Sequence, residues 1–344
     1  MSPRIPVTLL TGFLGSGKTT LLARLLRDPA MKDVAVIINE FGEVGLDHLL
    51  IEKGAEDVVL LDSGCLCCAV SNTLADTLAD LHFRRLRGEI AAFTRVVIET
   101  SGLADPAPIL YLVMADPSIA KWYVLDGIVA TVDALHGDAQ LDAHDEARKQ
   151  AAMADLLVLT KVDVSPREVA DRLDARLAHL NPGAARLGAV RGEVPAQRIL
   201  GLGPYDPAAK SADVAQWLAA EQHHSHGHSG HAHRHDDDIA THTVILGDAL
   251  QWSDYAEWLA RLRRLPAERL LRVKGVIALG EAGAPHVVQG VQHVFGHPAP
   301  LAAWPWPDRT SRLVFIVRGI ATHALLEALG GRGVIADAAP PAPH

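Results

Sequence analysis

Residues 12 to 19 read Gly-Phe-Leu-Gly-Ser-Gly-Lys-Thr, a spacing of glycines, lysine and hydroxyl that only one kind of local structure accommodates. Gly12, Gly15 and Gly17 permit a tight turn whose backbone N–H groups converge on a concave nest for phosphate oxygens at the start of a helix. The flanks agree: Val7-Thr8-Leu9-Leu10 is a short apolar strand, and Thr20 to Leu26 has helical spacing with Leu21, Leu22, Leu25 and Leu26 on one face. In this loop Lys18 neutralises β- and γ-phosphates, the Thr19 hydroxyl ligates magnesium, and Ser16 and Thr20 complete the lining. A strand, this loop and a helix commit the first part of the chain to a doubly wound, mostly parallel α/β sheet, an expectation reinforced by apolar runs at Val7, Val34, Val58, Val96, Ile128 and Leu156.

Two further strand ends carry chemistry. Leu156-Leu157-Val158-Leu159 leads into Thr160-Lys161-Val162-Asp163. A carboxylate in that position accepts hydrogen bonds from the guanine ring N–H and exocyclic amine, and adenine leaves it unpaired, which is unfavourable in a closed site. Asp163 is therefore the base-specificity residue, and Lys161 lays its aliphatic stem along the base. Arg95-Val96-Val97-Ile98 leads into Glu99-Thr100-Ser101-Gly102. Glu99 stands where a phosphate-loop enzyme places the group that orients magnesium or the attacking water, and the Gly102 N–H can report the γ-phosphate. GTP and Mg2+ are the ligands these motifs call for, with Lys18 and Glu99 as the catalytic pair.

The ordered set Thr11 to Thr20, Asn39-Glu40-Phe41-Gly42, Ser63-Gly64-Cys65-Leu66-Cys67-Cys68, Glu99 to Pro106 and Thr160 to Asp163 resembles the CobW/YjiA-type P-loop GTPases. Downstream, Leu271 to Gly275, Gln289-Gly290-Val291 and Arg312 to Ile316 look like that family's C-terminal domain. The resemblance spans nearly the whole chain. It implies a metallochaperone: a GTPase that loads a transition metal, zinc most readily and cobalt or nickel as alternatives, onto a client metalloprotein.

The cysteines support that implication on their own. The chain has 3 cysteines, all within residues 65 to 68, so no disulfide framework exists. Cys65, Cys67 and Cys68 can place two or three thiolates on one tetrahedral ion, with Glu40, Glu43, Asp47 or water completing the shell. Glu40 follows the strand Val34 to Ile38, in the stretch where GTPases carry a first switch, so one acidic residue there can answer to nucleotide and metal alike. Some relatives carry an acidic residue just before the Asn. Ile38 occupies that place here, and a metal site depending on it is expected to be absent. A second metal region comprises His223, His224, His226, His228, His231, His233 and His235, spaced by small residues and followed by Asp236-Asp237-Asp238. Imidazoles in such a tract collect ions at several unselective sites.

Composition sets the outer bounds. The chain has 344 residues, 49% hydrophobic and 21% charged, and exceeds one typical core. The expected division is a nucleotide domain over 1–203, a histidine-rich mobile linker over 204–240, a smaller α+β domain over 241–335 and a Pro/Ala-rich tail over 336–344. A net charge of −9 argues against nucleic acid or anionic membrane as partner. No apolar run reaches membrane-spanning length, the first residues run straight into a strand, and free clustered thiols fit the reducing cytoplasm. In the C-terminal part Trp252, Tyr255, Trp258, Leu259 and Leu262 recur at helical spacing, and Trp252, Trp258, Trp304 and Trp306 are expected as core and loop anchors. The competing functions are a passive metal buffer or sensor with structural nucleotide, which gives Glu99 and Asp163 no purpose, and a P-loop ATPase or kinase with incidental cysteines, which gives the histidine tract none. A monomer or a nucleotide- or metal-dependent homodimer fits either state of such a switch.

Overall fold

The structure is a computed structural model that describes residues 4–39, 60–62, 70–202, 239–331 and 333–335. Two compact units emerge, each built on its own sheet.

In the first unit the strands are β1 (Ile5–Gly12), β2 (Val34–Asn39), β3 (Leu60–Asp62), β4 (Arg95–Thr100), β5 (Tyr123–Asp133), β6 (Leu156–Thr160) and β7 (Ala185–Ala189), ordered β3-β2-β4-β1-β5-β6-β7. Every neighbouring pair is parallel. Parallel strands need long crossovers, and these are supplied by α1 (Lys18–Leu25), α2 (Val70–Arg87), α3 (Ala107–Ala115), α4 (Gly137–Ala143), α5 (Asp145–Met153) and α6 (Arg167–Leu180). With helices over both faces, a central strand is apolar throughout rather than alternating, and β1 is buried at all 8 positions. The four leucines of the first helical face, Leu21, Leu22, Leu25 and Leu26, pack on Val34, Val36, Ile38, Val129 and Val158. Strand order reverses at β1, so the loops after β1, β4, β5 and β6 converge at one edge. The doubly wound parallel sheet expected from the sequence is present, with one strand more than the apolar runs announce. That strand, β7, is Ala-Arg-Leu-Gly-Ala at the sheet margin; it lacks β-branched residues and only its last position is fully buried.

The second unit is an antiparallel sheet, β11-β10-β9-β13-β8-β14, with β12 beside β10. Its long strands are β8 (Ile239–Leu246), β9 (Leu270–Leu279), β10 (Ala284–Val291) and β13 (Ser311–Arg318); the short ones are β11 (Val294–Phe295), β12 (Ala299–Pro300) and β14 (Val334–Ile335). Helices α7 (Trp252–Leu262) and α8 (Thr322–Ala328) cover one face through Trp258, Leu262, Val273, Ile277, Phe315 and Leu325. On the opposite face Trp306, with Trp304 beside it, packs against Val276, Val287 and Val314. Three of the four tryptophans thus anchor packing. Trp252 does so only at the surface: it is 52% exposed at the start of α7, its ring edge-on to Tyr255 and to His286 of β10.

Gly275 shows why this sheet tolerates no side chain at its centre. A Cβ there would fall 2.3 Å from the Arg312 carbonyl oxygen of the paired strand β13. Gly275→Ala should therefore destabilise the protein by about 1–3 kcal/mol, the usual penalty of overpacking. Gly247→Ala, at a glycine with nothing within 4 Å of the added carbon, should change stability by less than about 0.5 kcal/mol. Urea titrations of both variants provide the comparison.

Candidate functional site

The loop from Gly12 to Gly17 leaves β1 and enters α1 without a side-chain cap, so the positive end of that helix opens onto the turn. Lys18 is 8% exposed, and its ammonium donates to Gly12 O at 2.9 Å and Phe13 O at 3.2 Å. A compact cation is thereby held inside the curve of the loop, where phosphate charge would be met. Ser16 Oγ shares a 2.6 Å hydrogen bond with Thr131 Oγ1 of β5, which ties the loop to the sheet from below. Thr20, one turn along, is exposed.

Beside the loop, Thr19 Oγ1 donates to Glu99 Oε1 at 2.8 Å. Glu99 is 2% exposed at the end of β4, in register with Leu10 of β1. A hydroxyl and a buried carboxylate side by side form an all-oxygen donor set, which fits hard magnesium rather than a soft ion. Gly102 lies two residues past β4 and against the phosphate loop: a Cβ on it would fall 2.8 Å from Leu14 N.

At the other side, Thr160 Oγ1 donates to Ser16 O at 2.6 Å, and Lys161 Nζ donates to Gly15 O at 2.8 Å and to Asp133 Oδ2 at 2.7 Å. Lys161 takes a left-handed backbone, φ 58°, as the chain turns sharply off β6. Asp163 is at the outer rim, its carboxylate 4.0 Å from Arg191 Nε. The structure thus brings Gly12, Gly15, Ser16, Gly17, Lys18 and Thr19 together with Glu99 and Gly102 on one flank and Thr160, Lys161 and Asp163 on the other.

Sequence reading passed over two participants here. Asp133, at the end of β5, is 2% exposed and accepts from Lys161, from the Leu135 and His136 N–H groups, and pairs with His136 Nδ1 at 3.2 Å. Burial alone would raise its carboxyl, but the Lys161 ammonium and the backbone donors outweigh that and hold it below the usual carboxylate value. Arg191 follows β7 in a tight turn closed by the Val190–Glu193 bridge. The signals were an Asp at a strand end and an Arg-Gly pair after a strand, both too common to single out.

The proposed metal ligands Cys65, Cys67, Cys68 and Glu40, with Glu43 and Asp47, lie outside the described residues, as do His223, His224, His226, His228, His231, His233 and His235. What the described residues fix is where those segments begin. Across the sheet Leu10, Glu99, Ile38 and Asp62 pair in a single row. β2 ends at Asn39, paired with Thr100 and one residue short of Glu40, while β3 ends at Asp62, three residues short of Cys65. Among the described residues no three His, Cys, Asp or Glu side chains gather as a metal site, and no described helix is long and apolar enough to cross a membrane.

A seven-stranded parallel sheet with a glycine-rich loop between β1 and α1, a Thr–carboxylate pair beside it and a Thr-Lys-x-Asp turn opposite defines a P-loop nucleotide-binding protein. The chain belongs to the CobW/HypB/UreG family: residues 6–187 match its nucleotide-binding domain, and residues 239–331 match the cobalamin synthesis protein CobW C-terminal domain. It is 35% identical over 323 residues to the zinc chaperone YjiA of Escherichia coli, covering 92% of this chain and 94% of that one. It is 32% identical over 306 residues to the zinc chaperone CobW of a Sinorhizobium species, covering 79% and 81%. The crystal structure of Zn(II)-bound YjiA GTPase from Escherichia coli superposes with a TM-score of 0.67 at 28% identity, over 96% of this chain and 99% of that one.

Two outcomes follow from this geometry. Gly102→Ala forces a methyl group into the phosphate-loop backbone at Leu14, which cannot yield as a flexible side chain would. Nucleotide affinity should fall by about tenfold or more, equivalent to roughly 1.4 kcal/mol, in a fluorescent-nucleotide titration. Asp133, with its folded-state pKa depressed, contributes stability that is complete at neutral pH and is lost as pH falls through the depressed value. Asp133→Asn should therefore lower the melting temperature at neutral pH and narrow its gap from the wild type on acidification.

Proposed function

We propose that this chain is a GTP-hydrolysing metallochaperone that binds a transition metal, zinc first, through Cys65, Cys67 and Cys68 with Glu40, and passes it to a client metalloprotein in the cytoplasm. The observation that carries the reading is the register row Leu10–Glu99–Ile38–Asp62. The segment bearing Glu40 leaves the sheet beside Thr100, and the segment bearing the cysteines leaves from Asp62, two strands from Glu99 or about 10 Å at ordinary strand spacing. Metal-bearing and phosphate-bearing loops therefore start from one edge. The zinc-chaperone relatives and the Zn(II)-bound YjiA GTPase lend the metal and the base their plausibility.

In this reading the nest of Gly12, Gly15, Ser16, Gly17 and Thr20 cradles the phosphates, with Lys18 as the countercharge. Thr19 and Glu99 would hold magnesium, which would supply positive charge against the phosphates. Glu99, already accepting from Thr19, is the group that would orient magnesium or the attacking water. Gly102 N–H meets the γ-phosphate. Asp163 reads guanine, Thr160 and Lys161 pin the base side to the loop, and Asp133 fixes Lys161. GTP orders the Glu40 and cysteine segments into a tight metal site, and hydrolysis loosens it for transfer. The nucleotide domain occupies 1–203, the CobW-type C-terminal domain, expected from 241 to 335, starts two residues earlier with β8 at Ile239, and the histidines of the intervening segment collect ions at weaker sites that do not answer to nucleotide. Residues 336–344 lie outside both domains.

The test has a base arm and a metal arm. Asp163→Ala should weaken GTP by about 2 kcal/mol, the scale of hydrogen bonds to a charged group, and leave ATP nearly unchanged; tighter ATP than GTP binding by the wild type rules the reading out. Zinc titrated with and without magnesium-GTP should bind a Cys67-dependent site more tightly with it, and deletion of residues 223–235 should spare that site. Equal affinity with GTP, with GDP and with neither makes the protein a buffer that carries a nucleotide.

A further inference from the structure

We infer that Gln150 is the positioning residue that ties the turn after Glu99 to helix α5, so that this helix registers the γ-phosphate. The inference rests on the GTPase reading above and assigns a relay that the reading leaves open.

Gln150 is 1% exposed, and its amide nitrogen donates to two carbonyls of a single turn, Gly102 O at 3.1 Å and Ala104 O at 3.0 Å. Both amide hydrogens are consumed, which fixes the orientation of the group. Its Oε1 is buried without a hydrogen-bond partner among the described residues. An unpaired buried acceptor is unfavourable, and Met or Leu would fill the same volume without it. The glutamine is therefore explained by what its two donors hold. Next along the helix, Lys149 Nζ lies 3.4 Å from Asp105 Oδ2, a second tie from α5 to the same turn.

The turn's opposite side rests on the phosphate loop, where Gly102 leaves no room between itself and Leu14. The helical pair α4–α5 touches that loop as well: Gln140 Nε2 reaches Leu14 O at 3.5 Å, and the Phe13 and His144 rings stack at 4.4 Å. Residues 102–105 are thus clamped between the loop that holds phosphate and the helix that carries Gln150. The Gly102 N–H and C=O flank one Cα, so rotating the N–H toward a γ-phosphate displaces the carbonyl that Gln150 holds. The displacement reaches α5 through the side-chain amide, which holds the Gly102 and Ala104 carbonyls at once. A diphosphate lacks the group that would draw the N–H, and leaves the clamp as it is.

Gln150→Met keeps the volume and removes both donors. The affinity for guanylyl imidodiphosphate should fall about tenfold while that for GDP changes by less than about twofold, since α- and β-phosphate contacts belong to the loop alone. Glu99→Ala, measured alongside, marks the loss of the magnesium arm for comparison. A parallel fall for both nucleotides, or no fall for either, overturns the inference and leaves the GTPase reading intact; failure of the wild type to bind guanine nucleotide overturns both. If the variant does not fold, hydrogen exchange on the wild type decides the matter. Amides of residues 145–153 should exchange at different rates in the triphosphate-analogue and GDP states, and identical rates in the two states overturn the proposal.

Discussion

The phosphate loop is held by direct backbone contact with two distant segments. At Gly12 an added Cβ would lie 2.3 Å from Thr131 Oγ1, and at Gly102 it would lie 2.8 Å from Leu14 N. With no room for a side chain at either glycine, the loop backbone lies directly against β5 and against the turn after β4. The hydroxyl bonds Ser16 to Thr131 and Thr160 to Ser16 then close the loop from beneath and from the β6 side. What results is a loop fixed in place before any ligand arrives. Preorganisation of that kind is the main contribution a protein makes to phosphoryl transfer, where positioning and charge stabilisation carry most of the rate.

From this fixed loop the site divides into a base side and a phosphate side. On the base side, Lys161 bridges Gly15 O and the buried Asp133, so the Thr-Lys-x-Asp turn and the loop form one body. On the phosphate side the connections pass through a turn after a strand end: Thr19 to Glu99, and Gly102 to α5 by way of Gln150. In the reading proposed above the base is recognised alike in GTP and GDP, whereas the third phosphate meets this turn, so the turn is where the two nucleotides differ.

Much of this was legible in the sequence because it depends on local chemistry. Glycine spacing, the lysine and the hydroxyl define the loop wherever it occurs, and strands buried on both faces announce themselves as unbroken apolar runs. The contributions of Asp133, Gln150 and Arg191 were not legible, because each acts across a long sequence separation. Asp133 and Lys161 are 28 residues apart, and Gln150 and Gly102 are 48. Only the folded sheet makes them neighbours. β7 escaped for a different reason: at the sheet margin, packing against β6 replaces the intrinsic preference its residues lack. Trp252 is a surface contact rather than a core one, since helical periodicity identifies a face but not how deeply each residue on it is buried. The cysteine segment, Glu40 and the histidine tract lie outside the described residues, so their chemistry rests on the sequence alone.

The register of the sheet limits how nucleotide and metal can communicate. Leu10, Glu99, Ile38 and Asp62 are joined by the hydrogen-bond ladders of four parallel strands, and Ile38 and Ile98 are buried within them. Close-packed strands of this kind have one arrangement, not two, so they cannot themselves be the bistable element. Any coupling must therefore reside in the segments that leave the strand ends, after Asn39, after Asp62 and after Thr100, while the sheet keeps their origins at constant separation. Linkage then applies with no further assumption. If the triphosphate favours one arrangement of those segments and the metal favours the same one, each ligand tightens the other by an identical factor, and a tenfold effect corresponds to about 1.4 kcal/mol. Energy of that size is within reach of one or two hydrogen bonds at a turn, so a sheet that holds the strand ends at fixed spacing leaves a coupling of that order to the chain beyond them.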